Sequence, residues 1–326
     1  MDIIRQSRLK LIGRSVINNI VWVIFLVLML SFSLGIKGFF SVDNYINIIY
    51  HSVFIGILAI AETYVLISGN LDLSVESVAA CSAIMSVWLS STSKYASGLM
   101  LPTWIGFVTV IAMGIAVGLF NAFFVVKLEI NAFLVTLSSY IFVRAIAIWV
   151  TGGYGMSGLP DAFRFIDRVK VFDIPLMVFL MIGFYIFFEF ILKRTRFGRH
   201  IYVLGGNESA ARNFGINTNK LLYKVFVVSG VISAIAGWLM AARANGAVAS
   251  MGRNYLFEAL TAVVIGGVSL TGGEGSLLGV FAGSLILSSI HSALNITAMS
   301  PFITNTIQGF LIIIAVSLDS LKRMFK

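Results

Sequence analysis

Residues 275–318 read GSLLGVFAGSLILSSIHSALNITAMSPFITNTIQGFLIIIAVSL, 44 residues without one Asp, Glu, Lys or Arg. One crossing of a bilayer takes about 20 apolar residues, so the stretch is too long for a single span. Asn295 and the Ser300-Pro301 pair supply a turn near its middle, which divides it into helices near 275–293 and 302–318. Backbone amides find no partner in hydrocarbon, so such segments are helical unless they close a barrel. The short alternating segments of a barrel are absent.

The rest of the chain repeats the pattern. Apolar residues make up 59% of the 326 and charged residues 11%, against roughly 25% charged in soluble domains; the mean hydropathy is +0.97. A fold this apolar has too few polar groups to cover its exterior, and lipid must solvate much of it. Further helices are predicted near 18–35, 48–68, 75–91, 104–126, 131–150, 173–192, 221–242 and 256–270. The expected fold is therefore an all-α polytopic transmembrane bundle of about ten spans, one domain over 1–326, with some spans short or broken around residues 69–77 and 266–276. Arg5, Arg8, Lys10 and Arg14 precede the uncharged run 15–36, which is too long for a cleavable signal core and reads as a retained first helix.

Basic residues orient the bundle. Ten spans with the N-terminus in the cytoplasm leave fifteen Lys and Arg inside and seven outside, with Arg144 within a span, out of 23. That bias follows the positive-inside rule and puts both termini in the cytoplasm. The net charge of +9 therefore implies a membrane partner, not nucleic acid. Cys81, the single cysteine, excludes an intramolecular disulfide and reads as a small core residue.

One inside segment, 193–220, is distinctive. Gly205 and Gly206 read as a flexible lead-in, Asn207 as an N-cap, and Glu208 as a first-turn acid facing the positive end of the helix dipole. Ala210, Ala211 and Phe214 follow at helical spacing, and Gly215 suits the helix end. The product is a short amphipathic helix at the membrane surface, by composition either a solvated connector or a docking element.

The block Phe197–Ile216 resembles the signature loop of permeases from ribose-type bacterial ABC importers. The resemblance continues through Gly69–Ser74, Gly118–Asn121, Ser229-Gly230, Ala236-Gly237, Ala242-Arg243, Glu258–Ser276 and Ser300–Phe302, most of the chain. It implies a permease of the bacterial inner (plasma) membrane. It also implies a coupling helix at 207–215, with Gly206, Asn207, Glu208, Ala210, Ala211, Arg212 and Gly215 meeting a separate ABC ATPase subunit. Further implied partners are a second permease subunit, identical or related, and an extracytoplasmic solute-binding protein that delivers a sugar or sugar-like solute. Two departures stand out: Glu76 replaces the family's usual Gly after Asp-Leu-Ser-Val, and Lys127–Asn131 lacks the usual small residues and prolines.

Two glycine-rich interruptions share a weak internal repeat. Ile67, Gly69, Asp72, Leu73 and Ser74 align with Val264, Gly266, Ser269, Leu270 and Thr271 at an offset of 197. Unwound backbone at depth lines cavities, although the same glycines also serve close helix packing. Ionisable groups inside apolar runs are costly and face a bundle interior or water; Glu62, Arg144 and Glu258 qualify, with Asp72 and Glu76 near a turn. The expectation is that Glu62 or Glu258 orders a gate by bonding to broken backbone or to Arg144, with a buried structural ion pair as the alternative. Asn70, Ser74, Asn121, Asn295 and Thr297 are pathway candidates because sugar hydroxyls need polar, uncharged partners.

The sequence lacks His-Glu-x-x-His, a Cys pair and any Gly-Lys dipeptide, so it carries no metal-ligand motif and no phosphate-binding loop. Nothing calls for a cofactor, and ATP hydrolysis belongs to another chain. The competing readings are an ion-coupled secondary carrier using Glu62, Asp72 or Glu258, and a membrane enzyme, which would need a convergent catalytic cluster.

Overall fold

The computed structural model describes residues 20–324; the basic cluster Arg5–Arg14 and Lys326 lie outside them. The long helices are α1 (Ile20–Gly35), α2 (Val42–Ile67), α3 (Val75–Ser90), α4 (Thr103–Ala122), α5 (Ala132–Thr151), α7 (Leu176–Arg194), α10 (Thr218–Ala244), α11 (Tyr255–Ile265), α12 (Leu277–Ile296) and α13 (Pro301–Met324). Three short helices lie between them: α6 (Asp161–Arg168), α8 (Arg196–Gly206) and α9 (Glu208–Asn213). Two-residue strands pair Met156–Ser157 with Gly246–Ala247 and Lys170–Val171 with Ile174–Pro175.

Among the described residues, six helices are long and apolar enough to cross a membrane: Val42–Ile67, Thr103–Lys127, Ala132–Thr151, Leu176–Arg194, Thr218–Ala244 and Leu277–Ile296. Ile20–Gly35, Val75–Ser90 and Tyr255–Ile265 are apolar but shorter. The predicted segments thus all fall on helices, with ends adjusted by local chemistry. α2 begins at Val42, well before residue 48, because Ser41 caps it by accepting from the Asn44 amide at 3.2 Å and Asp43 occupies the first turn. α4 runs on through a single π turn, Phe123–Lys127.

α10 is the hub of the bundle and packs on α2, α3 and α4. The approach to α4 requires glycine: a Cβ on Gly114 would lie 2.6 Å from the Gly230 carbonyl oxygen. Small residues let backbones meet where lipid provides no hydrophobic drive between helices. α3 is tied to α10 by the Ser82 hydroxyl, which donates to the Ala234 carbonyl at 2.7 Å. By contrast, α1 buries no residue, and Leu26, Leu30 and Leu34 are exposed, as a lipid-facing helix requires.

The connections gather at two ends. At one, the 68–74, 123–131, 195–217 and 266–276 segments come together. At the other, the 91–102, 152–160 and 245–247 segments interlock: the Thr92 amide donates to the Gly158 carbonyl, and the Leu159 amide to Asn245 Oδ1, both at 3.2 Å.

Candidate functional site

Three backbone segments cross at the first of these ends. The Gly273 amide donates to the Ile67 carbonyl at 2.9 Å, bonding the α11–α12 turn to the last residue of α2. Gly205, near the end of α8, lies between the two: a Cβ there would overlap the Ile67 carbonyl oxygen and sit 2.7 Å from the Gly273 nitrogen. A Cβ on Gly272 would come within 2.8 Å of the Gly69 backbone, and one on Gly273 within 2.8 Å of Gly206. Tyr202, one turn back on α8, donates its hydroxyl to the Gly275 carbonyl at 2.7 Å. Glu189 of α7 accepts from the Leu277 amide at 2.9 Å and so caps α12.

Sequence reading took Gly205 and Gly206 as a flexible lead-in. They are the last residues of helix α8. Gly205 is required by contact, since backbone touching backbone leaves no room for a side chain. The repeat offset also changes. α2 and α11 end alike: Gly69 and Asn70 amides donate to Leu66 and Val65 carbonyls, and Gly267 and Val268 amides to Val264 and Val263. This paired C-terminal bonding with a positive φ at the glycine (81° and 88°) is the Schellman pattern. It aligns Gly69 with Gly267, an offset of 198 and one residue from that read in the sequence, because helix-end bonding and not residue identity sets the register.

α9 stands out from this crossing. Asn207 caps it, its Oδ1 accepting from the Ala210 amide at 2.9 Å, and Glu208 pairs with Arg212 at 2.8 Å on the exposed face. Ala211 is fully buried, Ala210 half-buried, and Gly215 closes the helix at φ 75°. Phe214 is 81% exposed, an aromatic side chain with nothing packed over it. Beside α9 lies a polar recess of about 660 Å³ lined by Asn70, Glu129, Asn207, Arg212, Asn219 and Thr271 among others.

Of the pathway candidates, Asp72, Ser74 and Asn121 belong to one buried network. Ser74 donates its hydroxyl to Asp72 Oδ1 at 2.5 Å and its amide to the same oxygen at 3.0 Å; Ser229 of α10 donates to Oδ2 at 2.8 Å. Asn121 donates to Ser74 Oγ at 2.9 Å and accepts from Ser139. The network joins α3, α4, α5 and α10, and its members are 0–2% exposed. It braces the bundle directly beneath the Gly69 turn. Asn121→Ala is expected to lower stability by about 1–3 kcal/mol, the cost of orphaning buried hydroxyls. Asn295, exposed in the last turn of α12, should tolerate Ala within about 0.5 kcal/mol. Heating the detergent-solubilised variants and measuring what remains monodisperse tests both.

The ionisable residues separate. Arg144 bonds to Glu76 and donates to the carbonyls of Ala249 at 2.6 Å and Met251 at 3.2 Å; the Leu256 amide donates to Glu76 Oε2 at 3.2 Å. The partner of Arg144 is thus Glu76, neither Glu62 nor Glu258, and the departure at position 76 is half of a buried ion pair. Glu258 lies 3.3 Å from His291 Nε2. Glu62 is fully buried beside Asp72. Asn70 donates to Ser68 Oγ and the Ser68 carbonyl at 3.3 Å. Thr297 donates to Ala293 at 2.9 Å, within its own chain segment. The contacts of Gly205, Tyr202, Glu189 and Ser229 are not legible in the sequence, since each acts through a partner far along the chain.

Comparison with known proteins bears on what such an arrangement does. Residues 44–316 match the family described as branched-chain amino acid transport system / permease component. The ribose import permease protein RbsC of Haemophilus influenzae is 34% identical over 95% of this chain and 95% of its own length. The L-arabinose transport system permease protein AraH of Escherichia coli K12 is 32% identical over 93% of this chain and 90% of its own. The probable ABC transporter permease protein YphD of the same strain is 32% identical over 90% and 86%. No solved structure matches. A helical bundle with six membrane-capable helices, aligned almost end to end with these proteins, belongs to that permease family: the chain is a membrane-embedded, non-catalytic permease subunit of a bacterial ABC importer, whose ATP hydrolysis is performed by a separate subunit.

Proposed function

We propose that the chain conducts a sugar or sugar-like solute into the cytoplasm, and that the α8–α9 hairpin is the lever through which a docked ATPase moves the pathway. The observation that carries this is the backbone crossing of Gly205 with Ile67 and Gly273. A displacement of α9 reaches both glycine turns through rigid α8 without passing through any side chain. The orientation follows the basic residues: loop 193–220 and both termini in the cytoplasm, with ten crossings in all. The sugar class follows from RbsC and AraH, named for ribose and arabinose. Delivery by a solute-binding protein and pairing with a second permease subunit complete the importer. Gly206, Asn207, Glu208, Ala210, Ala211, Arg212 and Gly215 shape the docking helix, and the exposed Phe214 is its anchor. Glu62, Asn70, Asp72, Ser74, Asn121, Glu258 and Asn295 are assigned to the pathway or its bracing.

Cysteine at Ser209, exposed on α9, should crosslink to the ATPase subunit in membranes, and Phe214→Ala should lower ATPase association about tenfold, the equivalent of one lost aromatic anchor of about 1.4 kcal/mol. Labelling of Ser209→Cys from the outside only, or no crosslink in active transporter, contradicts the assignment.

A further inference from the structure

Asp43, Asn47 and His51 follow one another at four-residue intervals on α2, and all three are exposed, so they form one stripe along the helix. The stripe does not stop at the membrane surface. α2 has 26 residues, about 39 Å, and overhangs a hydrocarbon layer of about 30 Å by about 5 Å at each end. His51 is the tenth of them, about 14 Å from the start of the helix and about 9 Å below the hydrocarbon surface. Lipid does not cover an exposed amide and imidazole at such depth; polar groups in spans face a water-filled cavity or a polar partner.

Other polar groups gather beside the stripe from three further long helices. Arg243, next to last in α10, stands over the Tyr50 ring at 4.0 Å and the Phe54 ring at 5.4 Å. Tyr50 donates its hydroxyl to Asp167 of α6, which fixes the ring beside the guanidinium. Arg243 is half-buried and makes no hydrogen bond or ion pair among the described residues, so its five N–H donors are uncommitted. His51 lies within electrostatic reach of Arg243 and of His291 on α12. His291 Nε2 is 3.3 Å from Glu258 on α11, and Tyr255, three residues earlier on α11, is within reach of both Glu258 and Arg243. Amide, imidazole, phenol and guanidinium groups, with both signs of charge present, give a surface that hydrogen-bonds without selecting a net charge.

We propose that these residues line a water-filled vestibule between α2, α10, α11 and α12, on the side opposite loop 193–220, through which a hydroxyl-rich solute enters, and that Arg243 is its first binding residue. The inference rests on the importer reading and deepens it. The planar guanidinium fork can donate to two neighbouring hydroxyls at once, while Asn47 and His51 offer both donors and acceptors. The outer pathway thus runs over groups that reach solvent. Asp72, Ser74 and Asn121, 1–2% exposed, brace the bundle instead.

Thiol labelling in right-side-out membrane vesicles holding the complete importer tests the vestibule. The wild type, whose single cysteine is the buried Cys81, should stay unlabelled by a membrane-impermeant sulfonated maleimide. Asn47→Cys and His51→Cys should label from outside. Leu26→Cys, 64% exposed on lipid-facing α1, should not, because the reactive thiolate does not form in hydrocarbon. Arg243→Met should lower uptake of D-ribose or L-arabinose, whichever the wild type takes up, by at least about tenfold, the equivalent of one lost charge-assisted hydrogen bond. Its melting temperature should move by less than about 4 °C. If the wild type takes up neither sugar, the labelling alone decides. Absence of labelling at both α2 positions, in importer whose Ser209→Cys still crosslinks to the ATPase, overturns the vestibule and leaves the importer reading standing. Labelling from the cytoplasmic side alone overturns both. Equal labelling of Leu26→Cys overturns the vestibule, because the stripe would then be no wetter than the lipid face, and wild-type uptake by Arg243→Met overturns that residue's part in binding.

Discussion

Gly205→Ala should reduce solute uptake at least tenfold at matched protein abundance. In an unobstructed helix the same change adds stability of up to about 1 kcal/mol, because alanine is the better helix former. Here the added Cβ meets the Ile67 carbonyl oxygen and the Gly273 nitrogen, and both are backbone atoms that cannot rotate away. Overpacking of this kind costs typically about 1–3 kcal/mol, and relief requires α8 to withdraw from the turns. A withdrawn α8 no longer transmits force, so ATP hydrolysis by the assembled transporter should continue while transport fails. Gly183→Ala, on α7, is the internal control: nothing lies within 4 Å of the Cβ it would add, and uptake should be unchanged. The measurement is ligand uptake and ATPase rate in proteoliposomes containing the complete importer. Wild-type uptake by Gly205→Ala would show that the crossing is not part of the coupling route.

Arg144→Met should destabilise the protein by about 3–5 kcal/mol, the usual consequence of leaving one member of a buried ion pair behind. Glu76 is 2% exposed, and after the substitution its carboxylate keeps neutral donors alone, among them the Leu256 amide at 3.2 Å and the Tyr140 hydroxyl at 3.5 Å. Arg144 also holds the carbonyls of Ala249 and Met251, so its loss frees the strap that leads into α11. Lysine should not substitute, since one ammonium cannot reproduce the forked contact to a carboxylate and two carbonyls. The double variant Glu76→Gln with Arg144→Met removes the stranded charge and should recover most of the loss. Thermal unfolding followed by size-exclusion elution in detergent measures this. A single variant within about 1 kcal/mol of wild type, or a double variant no better than the single, would show that the pair is not structural.

Hydropathy located the long helices, with ends off by up to six residues, because the demand for about 20 apolar residues per crossing acts on each segment independently of its neighbours. Capping chemistry did the same for α9: Asn207, Glu208 and Gly215 act within one helical turn, and all three took the expected positions. Elements outside that logic were missed. α6 and α8 are short and interrupted by charge, so no apolar run marks them; α8 carries, in its last turn, the two glycines that read as a flexible lead-in. The pairing of Arg144 was likewise hidden. Glu62, Glu76 and Glu258 were all available as partners in the sequence, and only the packing of α5 beside α3 selects Glu76.

What the sequence determined alone was therefore the environment and the local elements: a chain solvated by lipid, its helices, their caps, and the absence of a phosphate-binding loop. These follow from the free energy of placing each residue in hydrocarbon or water, and from bonds that close within a few residues. What the tertiary structure decided were the coincidences. Gly205 meets Ile67 and Gly273, and Asp72 meets Ser229. Each joins residues dozens to more than a hundred positions apart, and no local preference encodes which distant partner a helix will touch.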